Sequence, residues 1–503
     1  MEWLQMIKWK SIAGAGTLAA LLSSTAAVAD VSPRQVWDNW LNRMTDFGYE
    51  VSATETDEGD TLAIRDIVMT VEMPEEDSTI RATLGSLLLK DQGDGTVSID
   101  LPATMPIDIM TEVEGEKTDM QVTLSYTGPS VVASGSPEAL NYVYSFANVT
   151  AELTRLLIDG APSEEVDLTM SLDELKGTSE IEEGEMTKMV QKMTASALTY
   201  ELSAQEPESG SFKMEADVQG INFEGSGTVP AMESTDDPAA LLNDGFAFEG
   251  TFTQGPATMR IEGADDEGPF SADLASATSN LGVEFGIDGF DYSGQARDVT
   301  AMVLGGGVPL PINAEMSEVS YRIKMPLLKG EGQQDVAMEL TLGGLTVSEM
   351  LWGMIDPSGV LPRDPATLSF DLAGKVTLFA DLVDEATAEM DAPGELNSLN
   401  LKSMLLEIAG ARLSGDGAFT FDNTDMSSFD GIPRPEGALN LKLKGANALI
   451  DNLVTMGLLP DDQAMAGRMM MGMFSVPVGE DDLESVIEIN AEGHVLANGQ
   501  RIQ

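Results

Sequence analysis

The sequence predicts a mainly β protein: an elongated, strongly curled antiparallel sheet, a trough or flattened barrel, with a few short helices at its ends and mouth. Three observations carry this expectation. Apolar and polar residues alternate with a period of two in segment after segment between Thr61 and Asn490. Gly, Asp and Asn gather at the joints, where tight turns need them. Helical stretches interrupt the strands rather than alternate with them, so the strand–helix–strand rhythm of a nucleotide-binding fold is missing. A long sheet with one apolar face must curl over itself or be plugged by helices, because an open apolar face invites aggregation.

The order of elements begins with residues 1–29. Lys8 and Lys10 precede a short apolar run, Ile12 to Leu22, and Ala27-Val28-Ala29 before Asp30 has the small-x-small spacing of a signal-peptidase site. We expect a signal peptide cleaved after Ala29 and a periplasmic protein, with secretion as the alternative. No later segment approaches the roughly twenty apolar residues of a span, so no integral membrane span is expected after cleavage.

A helix follows. Ser32 caps it, Pro33 suits its first position and Gln35 completes a capping box; Val36, Trp37, Trp40, Leu41, Met44 and Phe47 share one face, and Gly48 stops it. The aromatic stripe is expected to cover one end of a sheet. From Thr61 the period drops to two, and in "TLAIRDIVMTVEM" the phase slips at Arg65-Asp66, which suits a bulge. "TVSIDL", "MQVTLSY", "VDLTMSL", "LTYEL", "FKMEADV", "VAMELTL", "LSFDLAGKV", "LNLKLK" and "SVIEIN" continue the alternation, with "KDQGDGTV", "GADDEG", "SGDG" and "ANGQ" as hairpin turns. Further helices are expected at Pro137 to Leu157, Glu185 to Ala195, Pro238 to Asn243, and within Leu345–Val376 and Leu439–Gly467. The polar run Gly227 to Gly245 marks a boundary. It gives residues 30–240 as an N-terminal helix plus β half and 241–503 as a C-terminal β half, continuous with the first, with two helix-corner insertions.

Bulk composition narrows function by exclusion. The 503 residues include 84 acidic and 27 basic ones, a net charge of −57. That field repels phosphate backbones, so no nucleic-acid partner is expected. With no cysteine, thiol nucleophiles, disulfides and thiolate metal sites are excluded. The single histidine, His494, has no G-x-S-x-G serine to serve and cannot build a histidine metal cluster. "LGGGVP" at 304–309 lacks the lysine of a phosphate loop. Asp91, Asp94 and Asp100, and Asp416, Asp422 and Asp425, carry a faint calcium-loop look without the EF-hand spacing, and read as turn aspartates. No catalytic residue, cofactor or metal is expected, and the protein reads as no enzyme.

Two features remain. The chain has 30 methionines, and "RMMMGMF" gathers Met469, Met470, Met473 and Phe474; such side chains suit a ligand or partner surface, but plain core filler is the favoured reading. Metal binding by methionine alone would want histidine or cysteine support. In "LTVSEMLWGMIDPSGVLPRDPATLSFDLAGKV", Thr346 and Glu349 form a capping box for a helix whose Leu351, Trp352 and Ile355 share a face, and Asp356-Pro357 ends it. Pro362 and Pro365 stiffen a corner around Arg363 and Asp364. Trp352 joins the methionines and Phe474 as a candidate apolar surface; Arg363 and Asp364 are a candidate structural corner, with Arg363 bridging carboxylates. In "LNLKLKGANALIDNLVTMGLLPDDQAMAG", Asn447 caps a helix, Gly457 stops it and Pro460 follows.

"LWGMIDPSGVLPRDPATLSFDLAGKV", "PEGALNLKLKGANALIDNLVTMGLLP" and "INAEGHVLANGQRI" resemble an alphaproteobacterial exported family, the domain of unknown function 2125 type, over Leu345 to Gln503 and across most of the mature chain. The resemblance brings no activity or catalytic residues. The helical start and repeated amphipathic strands are also similar to AsmA-like envelope proteins, which implies an open trough and a link to lipid traffic or envelope assembly. The expectation is a periplasmic protein that binds lipids or other apolar molecules on the concave face of a curled sheet. The alternative is an envelope scaffold with a self-filled core and protein partners.

Overall fold

A computed structural model describes residues 30–503, apart from residues 47, 74–77, 114–115, 164, 207–209, 231–236, 266–267, 306–307, 385–386, 388–389 and 391. The expected signal segment and Phe47 thus lie outside the described residues. Among those residues there are 28 strands and five helices, and the strand pairings are antiparallel, as alternating half-buried segments require. The helices are α1 (Pro33–Asp46), α2 (Pro238–Asn243), α3 (Glu349–Ile355), α4 (Ala446–Thr455) and α5 (Asp461–Phe474). Two compact units divide the chain: Met1–Asp236 with Asp244–Ser271, and Asp237–Asn243 with Ala272–Gln503.

In the first unit, α1 is built as its sequence dictates. The Ser32 N–H donates to Gln35 Oε1 at 2.9 Å while the Gln35 N–H reaches Ser32 Oγ at 3.4 Å, the two halves of a capping box. Gly48 at φ 82° turns the chain out, its N–H on the Thr45 carbonyl. The inner face buries Val36 and Trp37 against Leu62, Ile64, Leu89, Val97, Leu140, Tyr142 and Ile181. Each indole also finds an acceptor: Trp37 Nε1 donates to Glu55 Oε1 at 2.7 Å and Trp40 Nε1 to Tyr142 Oη at 2.8 Å. Burial drives the Tyr142 phenol well above its ordinary pKa, and that of Tyr144 up to about 12. The bulge at Arg65-Asp66 is present. Ser52 pairs with Val68 and Thr54 with Arg65, and Asp66 stands at φ 53°.

Two expected helices are strands. Ala139–Ile158 is one continuous strand, paired over Ala139 to Glu152 with Val166–Glu182, and Met186–Glu206 is another, paired with Gly210–Pro230. The physical reason is legible in hindsight. Leu140, Tyr142, Tyr144 and Phe146 alternate as buried residues, a period of two that the apolar density of the stretch hides. β-branched and aromatic residues at close intervals also favour the pleated form.

Among the strands of the second unit, eight are hydrogen-bonded each to the next: Gly289–Gly305, Val308–Met325, Gln334–Val347, Ala366–Leu378, Gly394–Ile408, Ala411–Asp422, Arg434–Lys444 and Asp482–Ile489. "SGDG" is no turn; it runs inside Ala411–Asp422. Gly415 and Gly417 are there because the neighbouring strand comes too close for a side chain. A Cβ on Gly415 would stand 2.7 Å from Leu441 Cδ2, and one on Gly417 2.9 Å from Leu439 Cα. "ANGQ" does turn, with Asn498 and Gly499 at φ 50° and 80° between two short strands.

Candidate functional site

Register in the second unit aligns the apolar residues into rows that cross all eight strands. Tyr292, Ile323, Met338, Leu372, Leu401, Gly417, Leu439 and Ile487 stand directly opposite one another in sequence. Beside them run Gly294, Tyr321, Leu340, Phe370, Met404, Gly415, Leu441 and Ser485, then Ala296, Val319, Leu342, Leu368, Leu406, Leu413, Leu443 and Leu483. At the usual strand spacing eight strands make an apolar stripe about 34 Å long, measured along the sheet. No large apolar side chain of these rows is buried; Met338 is 48% and Ile323 42% exposed.

The opposite face is polar by the same alternation. Asn280, Gln295, Ser320, Thr341 and Ser369 form one row and Ser293, Arg322, Glu339, Asp371 and Ser403 the next, and together they line a cavity of 390 Å³. Arg322 grips Asp291 with two nitrogens, at 2.9 and 2.7 Å. That guanidinium holds the Asp291 carboxyl below the usual carboxylate range, and the pairing raises Arg322 in turn.

One end of this sheet holds the helices. Leu345 pairs with Ala366, Thr367 with Glu407, Glu407 with Arg412, Arg412 with Lys444 and Lys444 with Asp482, so α3 and α4 leave from the same end. Between them sits the Ile408–Ala411 hairpin turn. Pro362 of the corner packs on Gly410, and Gly410 in turn on Gly445, the αL residue ahead of α4. A Cβ on Gly410 would meet Pro362 Cγ at 3.0 Å, and one on Gly445 the Gly410 carbonyl at 2.5 Å. The two helix-corner segments are joinery around one turn.

The caps differ from expectation. Ser348, not Thr346, stands at the start of α3, because Thr346 is held in a strand opposite Glu315; no side chain caps that helix. Asn447 does not cap α4 either. Asp481, 34 residues downstream, accepts the Asn447 and Ala448 N–H groups at 3.0 Å each. Burial opposes its charge, but the Ala448 and Asn447 N–H groups outweigh it and hold Asp481 below the usual range.

Asp356, which ends α3, is fully buried and pins the corner: Oδ2 accepts the Leu361 N–H at 2.7 Å. The Val360 N–H, then that of Leu361, lowers its pKa. Arg363 pairs with Glu349 and lies 5.9 Å over the Trp352 ring; Asp364 is exposed. The expected buried face of α3 is absent: none of its residues is buried, and Met354 and Ile355 are each 56% exposed. Met469, Met470 and Met473 lie exposed on α5 while Phe474 is half-buried, so the methionine run is not core filler. Trp352 and these methionines stand on separate helices.

The suspected calcium aspartates are engaged locally. Asp91 accepts Gly93 N–H and Asp94 accepts Thr96, Asp100 pairs with Lys90, and Asp416 accepts from Asn440. Asp422 accepts Thr424 and pairs with Arg434. The Ser428 hydroxyl, first, brings Asp425 down to about 2. Among the described residues no group of three or more His, Asp or Glu is placed to hold a metal ion, and no helix is long and apolar enough to cross a membrane. Sequence reasoning named Asp356 only as the end of its helix, not as the pin of the corner, and missed Asp481 and the Asp291–Arg322 pair. Only the first had a local signal, an Asp three residues before a turn glycine.

The class so defined is an antiparallel β protein whose second unit, among the described residues, presents an apolar sheet face with its large side chains half-buried or exposed. Residues 248–493, a stretch that includes all eight strands, match the family described as "Uncharacterized protein conserved in bacteria (DUF2125)". No curated protein and no solved structure matches the chain.

Proposed function

We propose that this is a non-enzymatic protein of the cell envelope, periplasmic by its leader, that binds or carries lipids or other apolar molecules on the apolar face of its second unit. The observation that carries the reading is the set of three apolar rows, eight strands wide, whose large apolar side chains are half-buried or exposed rather than buried. Such a face costs free energy in water unless something apolar covers it. A bilayer core about 30 Å thick is two acyl chains deep, so a stripe of about 34 Å has length for two chains end to end. A scaffold with a self-filled core draws support from the first unit, where α1 fills the sheet face.

Native mass spectrometry of gently purified protein tests the reading. A bound acyl lipid is expected on the parent chain and its loss from a Leu340→Asp, Leu441→Asp variant. A parent chain that is repeatedly free of lipid and does not bind an added apolar fluorophore defeats it.

A further inference from the structure

We propose that Met469, Met470 and Met473 of α5 bind one soft monovalent d10 cation, Cu(I), through three thioether sulfurs. This site uses other side chains than the apolar stripe and does not rest on the carrier reading. The α-helix turns 100° per residue, so Met473 falls in azimuth between Met469 and Met470, one turn further on. The i,i+4 pair Met469–Met473 and the i,i+3 pair Met470–Met473 then have Cβ atoms about 5–6 Å apart, which lets three flexible thioethers converge on a shared point.

The side chains are free to do so: Met469 is 66%, Met470 58% and Met473 58% exposed, while Ala464 on the opposite side of the helix is buried. Thioether sulfur is a soft donor and selects Cu(I) over hard or borderline cations. It is also the softest donor available, since the chain has no cysteine and one histidine. The sequence alone argued for a need of histidine or cysteine support; the helix supplies a third sulfur instead.

Two further features favour a cation here. The site occupies the C-terminal end of α5, where the helix dipole is negative, and no basic residue sits in the last turn. The one nearby guanidinium, Arg468, is drawn off by Asp451 at 2.5 Å and Asn447 at 3.3 Å, contacts that also fix α5 against α4. The helix end is anchored as well, because the Phe474 carbonyl accepts Asn498 Nδ2 at 3.0 Å.

The test uses the full chain and Ag(I), the redox-inert probe of the same class, titrated in chloride-free buffer by calorimetry and native mass spectrometry. One equivalent should bind with a defined affinity. Each of Met469→Leu, Met470→Leu and Met473→Leu should weaken it about tenfold or more, roughly 1.4 kcal/mol, and the triple variant should lose it. Leucine conserves volume and helix propensity, and circular dichroism verifies the fold of each variant. X-ray absorption of the Cu(I) complex, prepared without oxygen, should show sulfur neighbours alone. Unchanged Ag(I) binding in the triple variant, an equal loss in Met338→Leu, or nitrogen and oxygen neighbours at copper would each overturn the assignment.

Discussion

In the first unit the alternation of Leu140, Tyr142, Tyr144 and Phe146 ends in buried side chains, whereas in the second the alternation of Tyr321 and Ile323, or of Met338 and Leu340, ends in side chains that are half-buried or exposed. The strands are of one kind: long, antiparallel and apolar on one side. What differs is the cover. Over the first face lies α1, with two tryptophans whose ring nitrogens are each given an acceptor by the sheet beneath. In the second unit α3, at the end of the sheet, buries none of its residues. Alternation therefore says which face is apolar, while the cover decides whether that face is a core or a surface.

The largest expected effect is on the cover itself. Trp37→Ala removes a side chain that is 1% exposed together with its bond to Glu55, and should cost about 3–5 kcal/mol. Urea denaturation measures the loss, and hydrogen exchange should place it in the first unit. A cost below about 1 kcal/mol would mean that the helix lies on the sheet without holding it.

The caps give a second, smaller contrast. In α1 the cap is local, Ser32 with Gln35; in α4 it is delivered by Asp481 from a neighbouring strand's turn. Ser32→Ala and Asp481→Ala should each cost about 1 kcal/mol. Their ranking sharpens the comparison. Asp481 also stands at φ 50°, where alanine is strained, so it should be the costlier of the two by denaturation midpoint.

Acid should separate the units less sharply. Arg34, and then Trp37, holds Glu55 below its ordinary pKa in the first unit, as Arg322 does Asp291 in the second. A depressed folded-state pKa contributes stability that is complete above the unfolded value, near pH 4, and is lost as pH falls through the lower folded value. Asp291→Asn should therefore lower the midpoint at pH 6, with the gap to the parent closing below about pH 4. A gap independent of pH would assign the residue a role by shape alone.

Much of the fold was readable from sequence because its signals are local. Ser32, Gln35 and Gly48 lie within a few residues of what they stabilise, and the Arg65-Asp66 slip breaks its own strand's phase. Ala139–Ile158 was misread because its aromatic residues fit an amphipathic helix nearly as well, and only pairing with Val166–Glu182 decides. The candidate site was less legible for the same reason. Each row of the apolar stripe takes one residue from each of eight strands, so its continuity exists only in the register. Asp481 as a cap and Arg322 as a clamp are likewise products of long-range pairing. The exposure of Met469 and Met473 depends on which side of α5 meets its neighbours, which the spacing of the methionines along the helix does not reveal.

The smallest effect is the most informative one. Met338→Gln and Ile323→Asn place polar groups on the apolar stripe at positions 48% and 42% exposed, and each should change stability by less than about 0.5 kcal/mol. The same kind of change in the first unit, at Leu140 or Ile64, would strand an amide in a dry core and cost several times more. Binding should move the other way: the stripe variants should weaken an apolar fluorophore while leaving the denaturation midpoint in place. If Met338→Gln instead destabilised the fold as a core substitution does, the second unit's face would be a core after all. The contrast between a covered and an uncovered sheet would then fail at the row on which the carrier reading depends.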